Sequence, residues 1–221
     1  MNNRHTERPV KVWDIPTRLF HWLLVILVMT CVATAKIGGN LMTAHMLSGY
    51  LVLALLIFRL VWGVVGGRHA RFTAFVRGPR AVWRHVTGFT RMGAPRYLGH
   101  NPLGAWSVVA MLAALLLQAS TGLFASDDIF TEGPLYALVS NAASRMLTRI
   151  HHMNAMVIGG LVAVHLGAVL YYLLVKGENL IKPMFTGLKT WHGEAPPCGG
   201  SLWTAALIAG ISGALVYLIV G

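Results

Sequence analysis

Acidic side chains are scarce in this 221-residue sequence. Seven Asp and Glu stand against 18 Lys and Arg, which gives a formal net charge of +11, and charged residues make up only 11% of the chain. A soluble domain carries about 25% charged residues, whereas hydrophobic residues here make up 56%. The composition therefore indicates a membrane protein. Because the basic residues concentrate in loops between apolar runs, we expect no nucleic-acid partner.

Cysteine is also rare, with only Cys31 and Cys198 present. Cys31 lies inside an apolar run and Cys198 lies in a segment rich in Gly and Pro, so we expect no disulfide framework. The sequence contains no C-x-x-C-H motif, which excludes covalent attachment of a c-type haem on motif grounds.

Five apolar segments are long enough to cross a membrane, since about 17 to 25 residues suffice. They span residues 19–35, 44–65, 103–124, 150–175 and 202–220. Pro16 and Thr17 provide a helix start for the first segment. The "ATA" at 33–35 resembles a signal-peptidase site, so this segment is either a retained helix or a cleaved signal peptide.

The loop charges predict an orientation. The N-terminal segment is basic, the loop 66–101 is rich in arginine and holds no acid, and three lysines follow the fourth segment. The loop arginines are Arg68, Arg71, Arg77, Arg80, Arg84, Arg91 and Arg96. By contrast, the loop 125–144 holds Asp127, Asp128 and Glu132. We therefore expect a cytoplasmic N-terminus, with Gly221 on the opposite side of the membrane.

Ten histidines are present, and half of them lie outside the apolar segments. His5, His69, His85 and His192 occur in polar loops, where we expect solvated surface positions. His100 lies at the entry to the third segment, where it either caps the helix or contacts a ligand.

The histidines associated with the spans fall into two layers. His151 and His165 are fourteen residues apart in the fourth segment, which is about 40° short of four helical turns and about 21 Å along the axis. They therefore share a face, while His152 points about 140° away from His165. By depth, His45 belongs with His151 and His21 belongs with His165.

Each layer draws one histidine from each of two helices, as two stacked bis-histidine haems require. We therefore predict the axial pairs His21/His165 and His45/His151. A cleavage after Ala35 would remove His21 from its pair, so we expect the first helix to be retained.

Other residues fit this arrangement. Gly49, one turn after His45, would let a porphyrin approach the helix. Arg59 follows His45 by fourteen residues on the same face, where it either pairs with a haem propionate or snorkels to the membrane surface. Arg18, one turn before His21, has the same two interpretations. Gly159 and Gly160 serve either helix packing or ligand room.

Several motifs resemble one family. "VWDIPTRLFHW" at 12–22, "AHMLSGY", "FRLVWGVVG", "LGHNPLGAWSV", "STGL", "IHH" and "VAVHLGAVLYY" are similar to the bacterial cytochrome b561 and nickel-iron hydrogenase b-type cytochrome family. The resemblance covers residues 11–191. It implies a four-helix transmembrane bundle with two b-type haems, and it carries the ligand role to His21, His45, His151 and His165.

The resemblance also implies a location in the bacterial inner membrane, which puts Gly221 on the periplasmic side, and electron transfer between quinones and redox partners on either side of that membrane. We thus expect an all-α integral membrane protein with an N-terminal tail at 1–11, a haem domain at 12–191, and a loop with a fifth helix at 192–221. The fifth helix is absent from the minimal family members, and it either docks a partner subunit or stabilises the bundle.

The leading functional prediction is a dihaem cytochrome that carries electrons between the quinone pool and a c-type cytochrome or other oxidoreductase subunit. The acidic loop 127–132 either meets a basic partner or is ordinary solvated surface. One alternative is a stand-alone quinone reductase, for example one that oxidises superoxide. A haem-free histidine-lined transporter is less favoured because the five segments contain no Asp or Glu, and a pure membrane anchor would not need four depth-matched histidines.

Overall fold

The computed structural model describes residues 8–88, 97–129 and 131–221. Arg91 and Arg96 of the arginine-rich loop lie outside the described residues. The first seven residues of the expected tail, which include His5, also lie outside them.

The described residues are mainly helical, with one small sheet. The elements in chain order are β1 (Arg8–Lys11), α1 (Ile15–Ile37), α2 (Met42–Val65), α3 (Phe72–Phe75), α4 (Pro79–Gly88), α5 (Pro102–Gly122), α6 (Asn141–Leu174), α7 (Ile181–Thr186), β2 (Leu188–Trp191) and α8 (Leu202–Val220). Short 3₁₀ turns at Gly39–Leu41 and Tyr136–Leu138 precede α2 and α6.

The five expected spans are confirmed, because α1, α2, α5, α6 and α8 are each long and apolar enough to cross a membrane. The largest difference is at α6, which begins at Asn141 rather than near residue 150 and has 34 residues. At 1.5 Å per residue it is about 51 Å long, well beyond the ~30 Å hydrocarbon core. The first turns of α6 are polar, so an apolar pattern does not reveal them.

Side-chain caps explain where four of the spanning helices, α1, α5, α6 and α8, begin. The Asp14 carboxylate accepts from the backbone N–H of Thr17 at 2.7 Å, with a proline in the first turn of α1. The Asn101 side chain caps α5 in the same way through Gly104 N–H at 2.7 Å. Ser140 and Ser201 cap α6 and α8. Each cap satisfies a backbone donor that has no partner within the helix.

Helix α2 lies at the centre of the bundle and packs against α1, α5 and α8. Its Leu56 and Trp62 side chains are each only 1% exposed. The fifth helix, α8, buries a stripe of residues spaced three or four apart, which is the spacing of one helical face. The stripe comprises Ala205, Ile208, Ser212 and Val216. The opposite face is apolar and exposed, as a lipid-facing surface is.

The bundle has two distinct ends. The end that carries the start of α1, the end of α2 and the loops 66–101 and 175–201 is here called the basic end, and the opposite one the far end. At the basic end, β1 pairs antiparallel with β2, with Arg8 opposite Trp191. The buried Cys198 thiol also donates to the Val12 carbonyl at 3.1 Å. The residues just before α1 are thus tied to the segment just before α8.

Candidate functional site

His45 on α2 and His151 on α6 meet at the far end of the bundle. Their ring centroids are 6.3 Å apart, and the ring planes are inclined at 76°. A metal binds an imidazole nitrogen at about 2.0 Å, and the ring centre lies ~1.1 Å behind that nitrogen. Two imidazoles on opposite sides of one metal therefore have centroids about 6 Å apart, which is the separation found here.

The hydrogen bonds of both far-end rings fix their protonation. Nδ1 of His45 donates to the Cys31 carbonyl at 2.9 Å, and Nδ1 of His151 donates to the Gln118 carbonyl at 2.9 Å. A carbonyl oxygen can only accept, so the proton of each neutral ring is on Nδ1. The lone pair on Nε2 of each ring is therefore available to a metal. In metal sites of proteins, the second nitrogen of a ligating histidine usually donates to a carbonyl or carboxylate in this manner.

The far-end pair has a polar layer behind it that the sequence analysis missed. Asn154 is 7% exposed, and its amide donates to the Ala114 carbonyl and to Oε1 of Gln118, each at 2.8 Å. This pair of side chains links α5 to α6 one turn from His151. An Asn and a Gln within apolar runs are the signal that was available, because such residues in a membrane normally find a partner.

Two glycines shape the space around the far-end pair. A Cβ on Gly122, the last residue of α5, would lie 3.1 Å from Cε1 and 3.3 Å from Nδ1 of His151. Gly122 therefore allows the His151 ring to approach α5. A Cβ on Gly49 would meet no atom of the described residues within 4 Å, and the same holds at Gly159 and Gly160. The position next to Gly49, one turn from His45, is thus not filled by other described residues.

His21 and His165 lie together nearer the basic end. The two imidazoles are close enough to interact electrostatically, and the His21 ring meets Trp22 edge-on at a centroid distance of 4.9 Å. Nδ1 of His21 is buried without a hydrogen-bond partner among the described residues. This second pair therefore differs from the far-end pair, where the backbone satisfies both rings.

Arg18 and Trp22 of α1 hold the short helix α7 against the basic end. Arg18 donates from Nη1 to the Phe185 carbonyl, and the Trp22 indole N–H donates to the Met184 carbonyl at 3.1 Å. The Trp22 and Phe185 rings stack at 4.4 Å. Nε of Arg18 is buried and has no partner within the described part of the chain, so one donor of this side chain is still available.

Arg59 is buried in the bundle and does not snorkel to the surface. Its side chain is only 3% exposed, and its guanidinium lies over the Phe72 ring at 4.9 Å and the Phe20 ring at 5.9 Å. Its Nη1 has no hydrogen-bond partner in the described residues. Asp14 acts on Arg59 electrostatically, but its own oxygens accept from Thr17 N–H and Trp62 Nε1.

The prediction that the loop histidines are solvated is wrong for His85, which is 8% exposed. Its ring meets Tyr97 at 5.5 Å, and Nε2 lies 3.4 Å from the Tyr172 hydroxyl. Burial and then Lys176 lower the pKa of His85. The prediction fails because α4 folds back onto α5, which no local pattern in the loop reveals. His192, in contrast, is exposed.

His69 and His100 also turn inward at the basic end. The His100 ring lies between Trp13 and Phe75, at centroid distances of 4.8 and 4.7 Å. Burial, and after it the charges of Arg59, His165 and His69, lower the pKa of His100 to about 3. Burial and then Arg68 lower the pKa of His69, while Asp14 raises it. Both imidazoles are thus neutral near pH 7 in this positively charged surrounding.

His152 is separate from both pairs. It is exposed and lines a shallow groove at the far end together with Arg145, Arg149 and Asp128. This agrees with the helical geometry, which points His152 away from the face that carries His165. The acidic loop residue Asp128 lies beside these arginines rather than in an isolated acidic patch.

The comparisons with known proteins agree on one family. A family model described as prokaryotic cytochrome b561 matches residues 12–187. The chain is 26% identical to a protein of Rhizobium leguminosarum bv. viciae named probable Ni/Fe-hydrogenase B-type cytochrome subunit, over 82% of this chain and 89% of that protein. A protein of the same name from Azotobacter vinelandii is 24% identical, over 86% of this chain and 92% of its own length. No solved structure matches the chain.

Proposed function

Because the chain belongs to the prokaryotic cytochrome b561 family, we propose that it is a dihaem b-type cytochrome that carries electrons across the membrane between the quinone pool and a redox partner protein. The family and the five spanning helices make it a multi-pass bacterial membrane cytochrome with b-type haem. We propose in addition that it holds two haems, that histidine pairs ligate them, and that a quinone and a partner protein exchange electrons with them.

In this proposal His45 and His151 hold one haem, and His21 and His165 hold the other. The observation that carries it is the far-end pair, with ring centroids 6.3 Å apart and both Nδ1 protons bound to carbonyls. The open space beside Gly49 fits a flat group on the same helix. A haem held by two imidazoles has no open coordination position, so it supplies one-electron transfer rather than oxygen binding.

The protein's part is to hold and orient these groups. The carbonyls of Cys31 and Gln118 keep the far-end imidazoles in a fixed tautomer, which increases their basicity toward a metal. Arg59 and Arg18 each retain a buried donor, as a propionate partner requires. The 14-residue separation of His151 and His165 corresponds to about 21 Å along the helix axis, and the hydrocarbon core is ~30 Å thick. Two haem sites at these depths would therefore carry an electron across most of the membrane.

We assign the two electron partners by class. Quinones dissolve in the bilayer, and the exposed apolar faces of this bundle lie in the same layer. The relatives named as hydrogenase B-type cytochrome subunits support an oxidoreductase subunit, a hydrogenase among them, as the protein partner. A stand-alone quinone reductase is the alternative, and quinone reduction by superoxide without any added protein distinguishes the two.

The orientation remains that expected from the loops. Most described Lys and Arg residues lie at the basic end, which the positive-inside rule assigns to the cytoplasm. Cysteine labelling tests this in a chain whose two native cysteines are replaced by serine. Asp128→Cys is expected to react with a membrane-impermeant maleimide in intact cells, and Arg80→Cys only after the cells are opened. The reverse pattern contradicts the orientation.

Haem quantification tests the main proposal. The purified chain is expected to contain two low-spin b-type haems, and His45→Ala or His151→Ala is expected to retain one, as is His21→Ala or His165→Ala. His152→Ala is the matched control, because His152 is adjacent to His151 but exposed, and it should retain both haems. A chain with no haem contradicts the function, and loss of both haems in His152→Ala contradicts the ligand assignment.

A further inference from the structure

Several nitrogen atoms at the basic end are buried without a hydrogen-bond partner among the described residues, and they include Nη1 of Arg59, Nε2 of His69 and Nδ1 of His100. Buried polar groups in folded proteins are nearly always paired, and each exception calls for an explanation. The Arg59 side chain is also 97% buried, since only 3% of it is exposed. An unpaired guanidinium at that depth is costly.

The three side chains lie together in an aromatic setting. The Arg59 guanidinium is over the Phe72 ring at 4.9 Å, and Phe72 meets Phe75 at 5.7 Å. Phe75 in turn meets His100 at 4.7 Å. His69 lies against the residue before His100, because a Cβ on Gly99 would be 3.4 Å from Nδ1 of His69. His100 also interacts electrostatically with both Arg59 and His69. The donors therefore share one site with largely apolar walls, where a hydrogen bond to a charged group is strong.

The charge of this site is not balanced by an acid in contact. Asp14 acts electrostatically on both Arg59 and His69, but it accepts hydrogen bonds from Thr17 N–H and Trp62 Nε1 and forms no ion pair with either side chain among the described residues. The salt bridge present in the described residues is elsewhere, between Lys189 and Glu178. The site thus presents a positive charge and two imidazoles to an absent anion.

The site also borders the basic-end histidine pair. Arg59 lies over Phe20, the residue before His21, at 5.9 Å, and His165 is within electrostatic reach of His100. An anion that is attached to a group held by His21 and His165 would therefore reach these donors. A haem carries such anions in its two propionate side chains.

We propose that Arg59, His69 and His100 together bind a propionate carboxylate of the basic-end haem. The planar guanidinium offers parallel donors that match a carboxylate, and the imidazoles add donors from a second direction. His69 and His100 thereby become haem-binding residues although they lie outside the spanning helices. This inference rests on the proposed function, because it requires a haem between His21 and His165.

The test observes the carboxylate itself in the haem-loaded protein. In a His45→Ala chain, which retains only the basic-end haem, cells are supplied with 5-aminolevulinate carrying ¹³C at its carboxyl carbon, from which the propionate carboxyls derive. Redox-difference infrared spectra then show the labelled carboxylate bands by their isotope shift. Arg59→Gln and His100→Leu are expected to shift those bands and to release haem about 10- to 100-fold faster, as the loss of charge-assisted hydrogen bonds predicts.

Matched controls separate this effect from general damage. Arg84→Gln removes an exposed arginine and His192→Leu an exposed histidine at the same end, and both should leave the labelled bands unchanged. If Arg59→Gln does not fold, Arg59→Lys and His100→Leu decide, because lysine keeps the charge but loses the planar pair of donors.

The outcomes distinguish the inference from the function on which it rests. If the His45→Ala chain does not retain one haem, the proposed function and the inference both fall. If it retains one haem and the labelled bands are the same in Arg59→Gln, Arg59→Lys and His100→Leu, the inference alone is overturned. In that case the anion at this site is a dissolved ion or another ligand rather than a propionate.

Discussion

Gly122 provides a test of the far-end pair that does not remove any ligand. In Gly122→Ala, the added methyl would lie 3.1 Å from Cε1 and 3.3 Å from Nδ1 of His151. Carbon atoms prefer a separation of about 3.5 to 4.0 Å, so the ring must retreat by roughly 0.4 Å. The hydrogen bond from Nδ1 to the Gln118 carbonyl, 2.9 Å in the structure, then lengthens toward the limit of a useful bond.

Two effects of this substitution on the free energy of unfolding nearly cancel. Replacing glycine by alanine in a helix stabilises it by about 0.8 to 1 kcal/mol at an interior position, and less at a terminal one. The weakened hydrogen bond costs about 0.5 to 1.5 kcal/mol. We therefore expect little change in stability. Under the proposed function, we also expect a clear change at the haem assigned to His45 and His151, because the orientation and basicity of a histidine ligand depend on that bond.

The assay combines a thermal melt in detergent with a redox titration and an electron paramagnetic resonance spectrum of the oxidised protein. In Gly122→Ala, one of the two haem signals is expected to shift in midpoint potential and in g values, while the other stays unchanged. Gly210→Ala is the control, since a Cβ there meets no atom of the described residues within 4 Å. If both haem signals of Gly122→Ala and of the larger Gly122→Leu equal those of the original protein, His151 is not a haem ligand placed as proposed.

Three further outcomes follow from other parts of the structure. Asn154→Leu removes two buried hydrogen bonds, each worth about 0.6 and at most about 1.7 kcal/mol in a membrane, so the free energy of unfolding should fall by about 1 to 3 kcal/mol in a denaturant titration. Burial holds the pKa of His85 below its ordinary 6.5. The buried neutral ring therefore contributes its full stability above pH 6.5, and this contribution is lost as the pH falls. Between pH 7.5 and pH 5.5, the melting temperature of His85→Gln should thus decrease less than that of the original protein. Ser212→Leu overpacks a position that is 2% exposed and should lower the free energy of unfolding by about 1 to 3 kcal/mol without changing the haem content. Loss of haem in this variant would show that α8 is part of the haem domain.

The spanning helices and the levels of their histidines could be predicted from the sequence because both depend on local periodicity. Apolar runs of the required length mark the five helices, and a rise of 1.5 Å and a turn of 100° per residue relate His151 to His165. His45 and His151 meet because each lies near the start of its helix, and both helices run from the far end toward the basic end. The missing first turns of α6 illustrate the limit, because those residues are helical but not apolar.

The parts of the site that could not be predicted depend on contacts between distant segments. His85 occurs in a stretch that resembles a solvated loop, yet its ring is buried beside Tyr172. His100 precedes α5, and its ring contacts Phe75 of α3. The sheet between Arg8–Lys11 and Leu188–Trp191 joins residues about 180 positions apart in the chain, and no periodicity signals such a pairing. Loop positions are therefore where the sequence is least informative about burial, and here they lie next to the basic-end pair.

The two histidine pairs are supported in physically different ways, and this difference determines how each will respond to substitution. Backbone carbonyls make the shortest hydrogen bonds to the far-end rings, so steric changes such as that at Gly122 are the effective perturbation. The basic-end pair lies beside unpaired side-chain donors, Arg59 foremost, so changes of charge are effective there. Under the proposed function, variants at the basic end should therefore alter haem retention through electrostatics, while variants at the far end act through ligand orientation.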